Sequence, residues 1–213
     1  MPVHGFGAAT MTRALLLVDI QNDFIPGGAL AVPEGDLVIP IANRLRQKFE
    51  LVVATQDWHP ANHGSFASNH PGAKPGDVGE LGGLPQIYWP DHCVQGTPGS
   101  WFHAELDLHG VTLFRKGTDP EIDSYSALFD NGHRKATGLG DFLRARGVRE
   151  TVILGLATDY CVKFTALDAR GLGFDVTVVE DGCRGVELAP GDCARAFEAV
   201  RDAGAKIVRS GEV

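Results

Sequence analysis

Runs of lysine and arginine are absent from this chain, and acidic residues outnumber basic ones by 27 to 19, for a formal net charge of -8. With no basic patch to hold a phosphate backbone, nucleic-acid binding is not expected. Cysteine is also scarce. Cys93, Cys161, Cys183 and Cys193 form no C-x-x-C pair and no dense framework of the secreted type, so free thiols in a reducing, cytoplasmic setting are expected. Long apolar runs are missing too. Ala14–Ile20, preceded by the single Arg13, is too short for a membrane span and lacks a signal-peptide layout. The glycine-rich stretches Gly79–Gly83 and Pro26-Gly27-Gly28 follow neither phosphate-cradling pattern, so they read as loops.

What remains is an ordinary soluble composition, 44% hydrophobic and 22% charged over 213 residues, enough for one buried core. Residues 1–12 read as a flexible leader, with Met11 an alternative start, and residues 13–213 as one domain. Short apolar strands alternate with amphipathic helices. The expected strands are Ala14–Ile20, Leu51–Thr55, Val111–Phe114, Thr151–Leu156, Asp175–Val179 and Lys206–Val208. The expected helices are Leu37–Phe49, Leu139–Arg146, Asp159–Ala169 and Cys193–Ala203, the last three followed by Gly147, Gly171 and Gly204. This order predicts a three-layer α/β/α sandwich with a mostly parallel central sheet. The segment His63–Pro90, rich in Gly, Pro and Asn, reads as a long functional loop.

Sites in open parallel sheets form outside the carboxyl ends of the strands. Four expected strands end there in unusual polar residues: Asp19, the pair Asp57 and His59, Lys116, and Cys161 at the head of a helix. Taken alone, Cys161 reads as a small buried hydrophobe and Lys116 as a surface charge. Sharing one rim changes that reading. A thiol in the first turn of a helix, beside an ammonium and a carboxylate, is a base-activated nucleophile, with its thiolate favoured by the helix and by Lys116. Backbone N–H groups of the same turn could hold an oxyanion.

Asp57 and His59 can point to one face, and Trp89–Cys93 offers a third donor in His92, with His63 and His70 as rivals. Such a set of N and O donors suits a divalent metal, Zn²⁺, Fe²⁺ or Mn²⁺. Phe24, Trp89 and Tyr125 flank the rim and suit a planar heteroaromatic ligand, whereas Trp58 reads as core packing.

These motifs resemble the nicotinamidase/pyrazinamidase family of isochorismatase-like hydrolases across nearly all of Thr12–Val213. They are DIQNDF at Asp19–Phe24, TQDWHP at Thr55–Pro60, YWPDHCVQGTPG at Tyr88–Gly99, RKGTDPEIDSYS at Arg115–Ser126 and GLATDYCV at Gly155–Val162. The resemblance implies hydrolysis of the linear carboxamide of nicotinamide, and of pyrazinamide, within NAD salvage. It implies a catalytic triad of Asp19, Lys116 and Cys161, and metal ligands Asp57, His59 and His92 holding one ion, Zn²⁺ first. It also implies a ring sandwich of Phe24, Trp89 and Tyr125, and an oxyanion hole from the N–H groups of Ala157 and Cys161, next to a cis Ala157–Thr158 bond. A related cysteine amidohydrolase acting on carbamoyl or ureido compounds is the alternative; such relatives generally lack the metal set. Self-association, and a role for His63 at the metal, are left open.

Overall fold

Five consecutive residues, Ala14–Val18, are wholly buried, as a strand covered on both faces requires. In the computed structural model, which describes residues 13–213, they form most of β1 (Arg13–Val18). The other strands are β2 (Val52–Asp57), β3 (Val78–Leu81), β4 (Leu84–Ile87), β5 (Thr112–Lys116), β6 (Glu150–Leu156), β7 (Asp175–Arg184) and β8 (Lys206–Val208). The α-helices are α1 (Val38–Arg46), α2 (Leu139–Ala145), α3 (Lys163–Gly171) and α4 (Asp192–Asp202).

Six strands make one sheet in the order β5-β2-β1-β6-β7-β8, and every pairing in it is parallel. From β1 the chain crosses to β2 on one side, and from β6 to β7 on the other. Right-handed crossovers in opposite directions put their helices on opposite faces. Helix α1 therefore covers one face, against β6 and β7, while α3 and α4 pack together on the other, against β7 and β8. The expected three-layer sandwich is what forms. The order reverses between β1 and β6, and such a switch point opens a crevice at the carboxyl ends of the strands.

Three expectations need correction. The 63–90 segment is not structureless: β3 and β4 pair antiparallel around Gly82 and Gly83, both at positive φ. Its strand residues are exposed or half-buried apart from the polar Gln86, so no apolar run announces the pair. Strand β7 runs five residues past Val179, because a register shift opposite Ile153 and Gly155 lets the polar Glu180–Arg184 rejoin β6. The helix expected from Asp159 starts as a wide π-type turn over Thr158–Val162 and becomes α-helical only at Lys163. The expected leader, residues 1–12, lies outside the described residues. Among those described, no helix is long and apolar enough to cross a membrane, and all four cysteines are free.

Candidate active site

Register is what assembles the rim. Asp57 and Lys116 are direct partners across β2 and β5, and Val18 faces Gly155 across β1 and β6. The last residues of four strands thus arrive at one level. At the end of β1 the backbone turns sharply, Asp19 adopting φ 49. Its carboxylate accepts a hydrogen bond from the Thr55 hydroxyl at 2.6 Å, and its N–H donates to the same oxygen.

Lys116 is the hub. Its Nζ lies 2.9 Å from Asp19 Oδ2 and 2.9 Å from Asp57 Oδ1, donates to the Ser124 carbonyl at 3.0 Å and sits 3.4 Å from Cys161 Sγ. Donor atoms of Asp19, Asp57 and Cys161 all lie within 4.8 Å of one another. Asp19 is wholly buried, and Asp57, Lys116 and Cys161 nearly so. Mutual pairing is the condition for burying such charges.

The electrostatics follow from that pairing. Burial works against the charge of Lys116, but Asp19 and Asp57 outweigh it and hold its pKa well above the ordinary lysine value. Burial would also raise Asp57, yet His59 and Lys116 keep its carboxyl well below the usual range. Asp19 ends up raised, because burial, helped by Asp57, exceeds the pull of Lys116. The thiol of Cys161 is pushed well up: burial leads, Lys116 opposes, and Asp19 and Asp57 add to the rise. The net rise runs against the expectation that the helix and Lys116 favour the thiolate. Lys116 acts in the expected direction, but desolvation and two carboxylates outweigh it, so the resting pair is a neutral thiol beside an unusually basic carboxylate.

The donor cluster next to it was also expected. Donor atoms of Asp57, His59 and His92 fall within 4.8 Å of one another, all buried. His59 Nε2 is 3.2 Å and His92 Nε2 3.7 Å from Asp57 Oδ2. Each ring's Nδ1 is already taken, by the Gly117 carbonyl at 2.8 Å and the Pro90 carbonyl at 2.7 Å. Those bonds fix the tautomer that leaves a lone pair on Nε2, as a metal-binding imidazole requires. Gly117 is needed where it is: it has φ 64, and an added Cβ would come within 2.4 Å of the His59 ring and 3.0 Å of Asp57. The residues therefore fit one divalent ion. Of the rival donors, His70 stacks on Tyr88 at 4.0 Å and is not in the cluster. His63 is wholly buried, and its Nε2 has no hydrogen-bond partner. It groups with His59 and Asp123 in a second set of donors, and burial, with His59 next, lowers its pKa to about 4.

Between the thiol and the donor cluster runs a pocket lined by Phe24, Asp57, Trp89, His92, Asp123, Tyr125, Ala157, Tyr160 and Cys161. All three expected aromatics line it. Trp58 is half-buried outside it, stacked under the Arg115 guanidinium at 3.9 Å. Tyr160 and Asp123 had not been singled out; Tyr160 stands edge-on to Trp89 at 4.9 Å. Its only sequence signal is adjacency to Cys161. Ala157 forms the pocket floor with Cys161, and its carbonyl accepts from the N–H groups of Tyr160 and Val162, either side of Cys161. The cis peptide lies one bond earlier than the resemblance implied, at Leu156–Ala157; the peptide unit concerned is the one that carries the Ala157 N–H.

Comparison with known proteins agrees with this geometry. The isochorismatase domain family matches residues 13–212, so fold and family together define an isochorismatase-like hydrolase. The nicotinamidase of Escherichia coli (strain K12) is 56% identical over 200 residues, 92% of this chain and 93% of that protein. A solved nicotinamidase/pyrazinamidase of Acinetobacter baumanii superposes with a TM-score of 0.92 at 44% identity, covering 96% of this chain and 99% of the other. A pyrazinamidase of Pyrococcus horikoshii, solved in complex with zinc, gives a TM-score of 0.76 at 41% identity over 92% and 98% of the two chains. The chain belongs to the nicotinamidase/pyrazinamidase family of isochorismatase-like hydrolases.

Proposed function

We propose that this chain hydrolyses nicotinamide, and by the same chemistry pyrazinamide, to the carboxylate and ammonia through a thioester on Cys161. One observation carries the reading: a thiol, an ammonium and a carboxylate share a buried cluster that adjoins a three-donor metal seat, beneath a pocket walled by aromatic rings. A flat heteroaromatic amide has the shape and polarity for such a pocket.

Asp57, His59 and His92 would hold one divalent ion, with zinc the choice favoured by the zinc-bearing relative and by the mixed N and O donors. Bound there, it supplies a Lewis acid to which the ring nitrogen of the substrate can be anchored. The protein's own groups do the rest. Phe24, Trp89 and Tyr125 hold the ring flat and place the carboxamide over Cys161. Asp19 takes the thiol proton, and the sulfur attacks the amide carbon while the N–H groups of Ala157 and Cys161 receive the developing oxyanion. Asp19 passes its proton to the leaving nitrogen, the C–N bond breaks and ammonia departs. Asp19 then takes a proton from water, whose oxygen displaces the thiolate from the acyl carbon; Asp19 returns that proton to the sulfur, and the acid leaves as its carboxylate after giving its own proton to solvent. Lys116 stays charged throughout, and holds Asp19 in place against Asp57.

The product would feed pyridine nucleotide synthesis in NAD salvage, and four unpaired cysteines support a cytoplasmic setting. The test is ammonia release from nicotinamide, pyrazinamide and a ureido compound, before and after removal of metal by a chelator. Rapid turnover of the two ring amides, lost with the metal and restored by zinc, is expected. Turnover of the ureido compound with none of nicotinamide would establish the carbamoyl-type alternative instead.

A further inference from the structure

The β3–β4 hairpin lies outside the main sheet and sends one nearly buried side chain, Gln86, toward the pocket wall. The Gln86 amide nitrogen faces three oxygens: the Ile87 carbonyl at 2.7 Å, Asp123 Oδ2 at 3.1 Å and Tyr125 Oη at 3.2 Å. A carbonyl and a carboxylate can only accept, so the amide must present its nitrogen to them, which fixes its orientation. Tyr125 Oη receives a second donor, Trp89 Nε1, at 3.2 Å. Tyr125 is thus tied directly, and Trp89 through Tyr125, to one amide on the hairpin.

Asp123 makes that amide costly to lose. It is a buried carboxylate lining the pocket; its Oδ1 accepts the Ser124 N–H at 2.7 Å, and Gln86 donates to its Oδ2. Without the Gln86 donor, a desolvated carboxylate oxygen would be left unsatisfied beside the bound ring.

We propose that Gln86 is a positioning residue: by holding Tyr125, and with it Trp89 and Asp123, it sets how tightly the pocket closes on a flat ring, without touching the reacting atoms. This rests on the reading of the pocket as a pyridine-carboxamide site. The hairpin is then a determinant of substrate affinity, and its contribution appears in KM and not in the chemical step.

Steady-state kinetics on Gln86→Met, which keeps the length and removes the donor, and on Gln86→Glu, which sets a second carboxylate against Asp123, test this. The expected result is a KM for nicotinamide raised about tenfold by Met and further by Glu, with kcat within about threefold of wild type. Calorimetric binding of nicotinamide in a Cys161→Ala background should weaken by the same factor. Alkylation of Cys161 by iodoacetamide without substrate should be unchanged, a readout that general loosening would move. Tyr125→Phe should raise KM as well, and adding Gln86→Met to it should cost less than the product of the two. An unchanged KM, a parallel fall in kcat and alkylation rate, or full additivity with Tyr125→Phe would overturn the proposal. Should Gln86→Met fail to fold, Gln86→Glu carries the same test. Wild-type protein that leaves nicotinamide intact would defeat the functional reading instead, a separate outcome.

Discussion

The middle of the central sheet and its carboxyl rim are equally buried, yet they are built on opposite terms. Leu15, Leu16 and Leu17 are wholly inaccessible, and so is Asp19 two residues beyond. The leucines lower the free energy simply by leaving water, each worth roughly 1.5–3 kcal/mol when fully buried. Asp19, Asp57 and Lys116 gain nothing from burial; the two carboxylates are tolerable only because each is paired with the same ammonium. A neutral thiol held against that charged set is chemically poised. A leucine in the same layer is inert. The difference shows how one strand can supply stability along most of its length and reactivity at its tip.

The most damaging way to break this contrast is Lys116→Met. It removes the cation shared by two buried carboxylates, so both regions should suffer: kcat/KM for nicotinamide should drop at least about 10³-fold, and stability by about 3–5 kcal/mol. Chemical denaturation alongside an ammonia assay reads both. A variant with full stability and low activity would show that Asp19 and Asp57 do not depend on the ammonium for their burial.

Leu16→Ala sharpens the contrast from the other side. It should cost about 2–5 kcal/mol of stability through the cavity it leaves. The kcat of the folded fraction should stay within about twofold of wild type, because Leu16 lies mid-strand, in register with Val53 and Ile153 and not with a rim residue. Loss of kcat without loss of stability would mean that the core and the rim are not separable.

The same division explains what could be read from the sequence. The leucine-rich run of β1 and the glycines at or just past the ends of α2, α3 and α4 carry local signals, and the order of strands and helices followed from them. Asp19, Asp57, Lys116 and Cys161 were legible because each stands where an apolar run stops. That Asp19, Lys116 and Cys161 share one rim was expected as well; the direct pairing of Asp57 with Lys116 was not. That Asp57 faces Lys116 depends on the register of two parallel strands more than fifty residues apart, which no local pattern encodes. The hairpin escaped because the one buried residue of Val78–Leu81 and Leu84–Ile87 is the polar Gln86; the Gly82-Gly83 pair between them was the available turn signal. Gln86 and Asp123 act only through contacts between segments, so neither residue type nor spacing gave them away. The raised thiol pKa likewise depends on desolvation, which belongs to the fold.

The proposed chemistry turns on Cys161 forming the bond to the substrate carbon. Ammonia release from nicotinamide by Cys161→Ala, with metal content and thermal stability measured on the same sample, tests it most directly. A fall of at least about 10⁴-fold in kcat, with metal retained and the fold intact, is the result this account predicts. Turnover within about tenfold of wild type in that variant would contradict it.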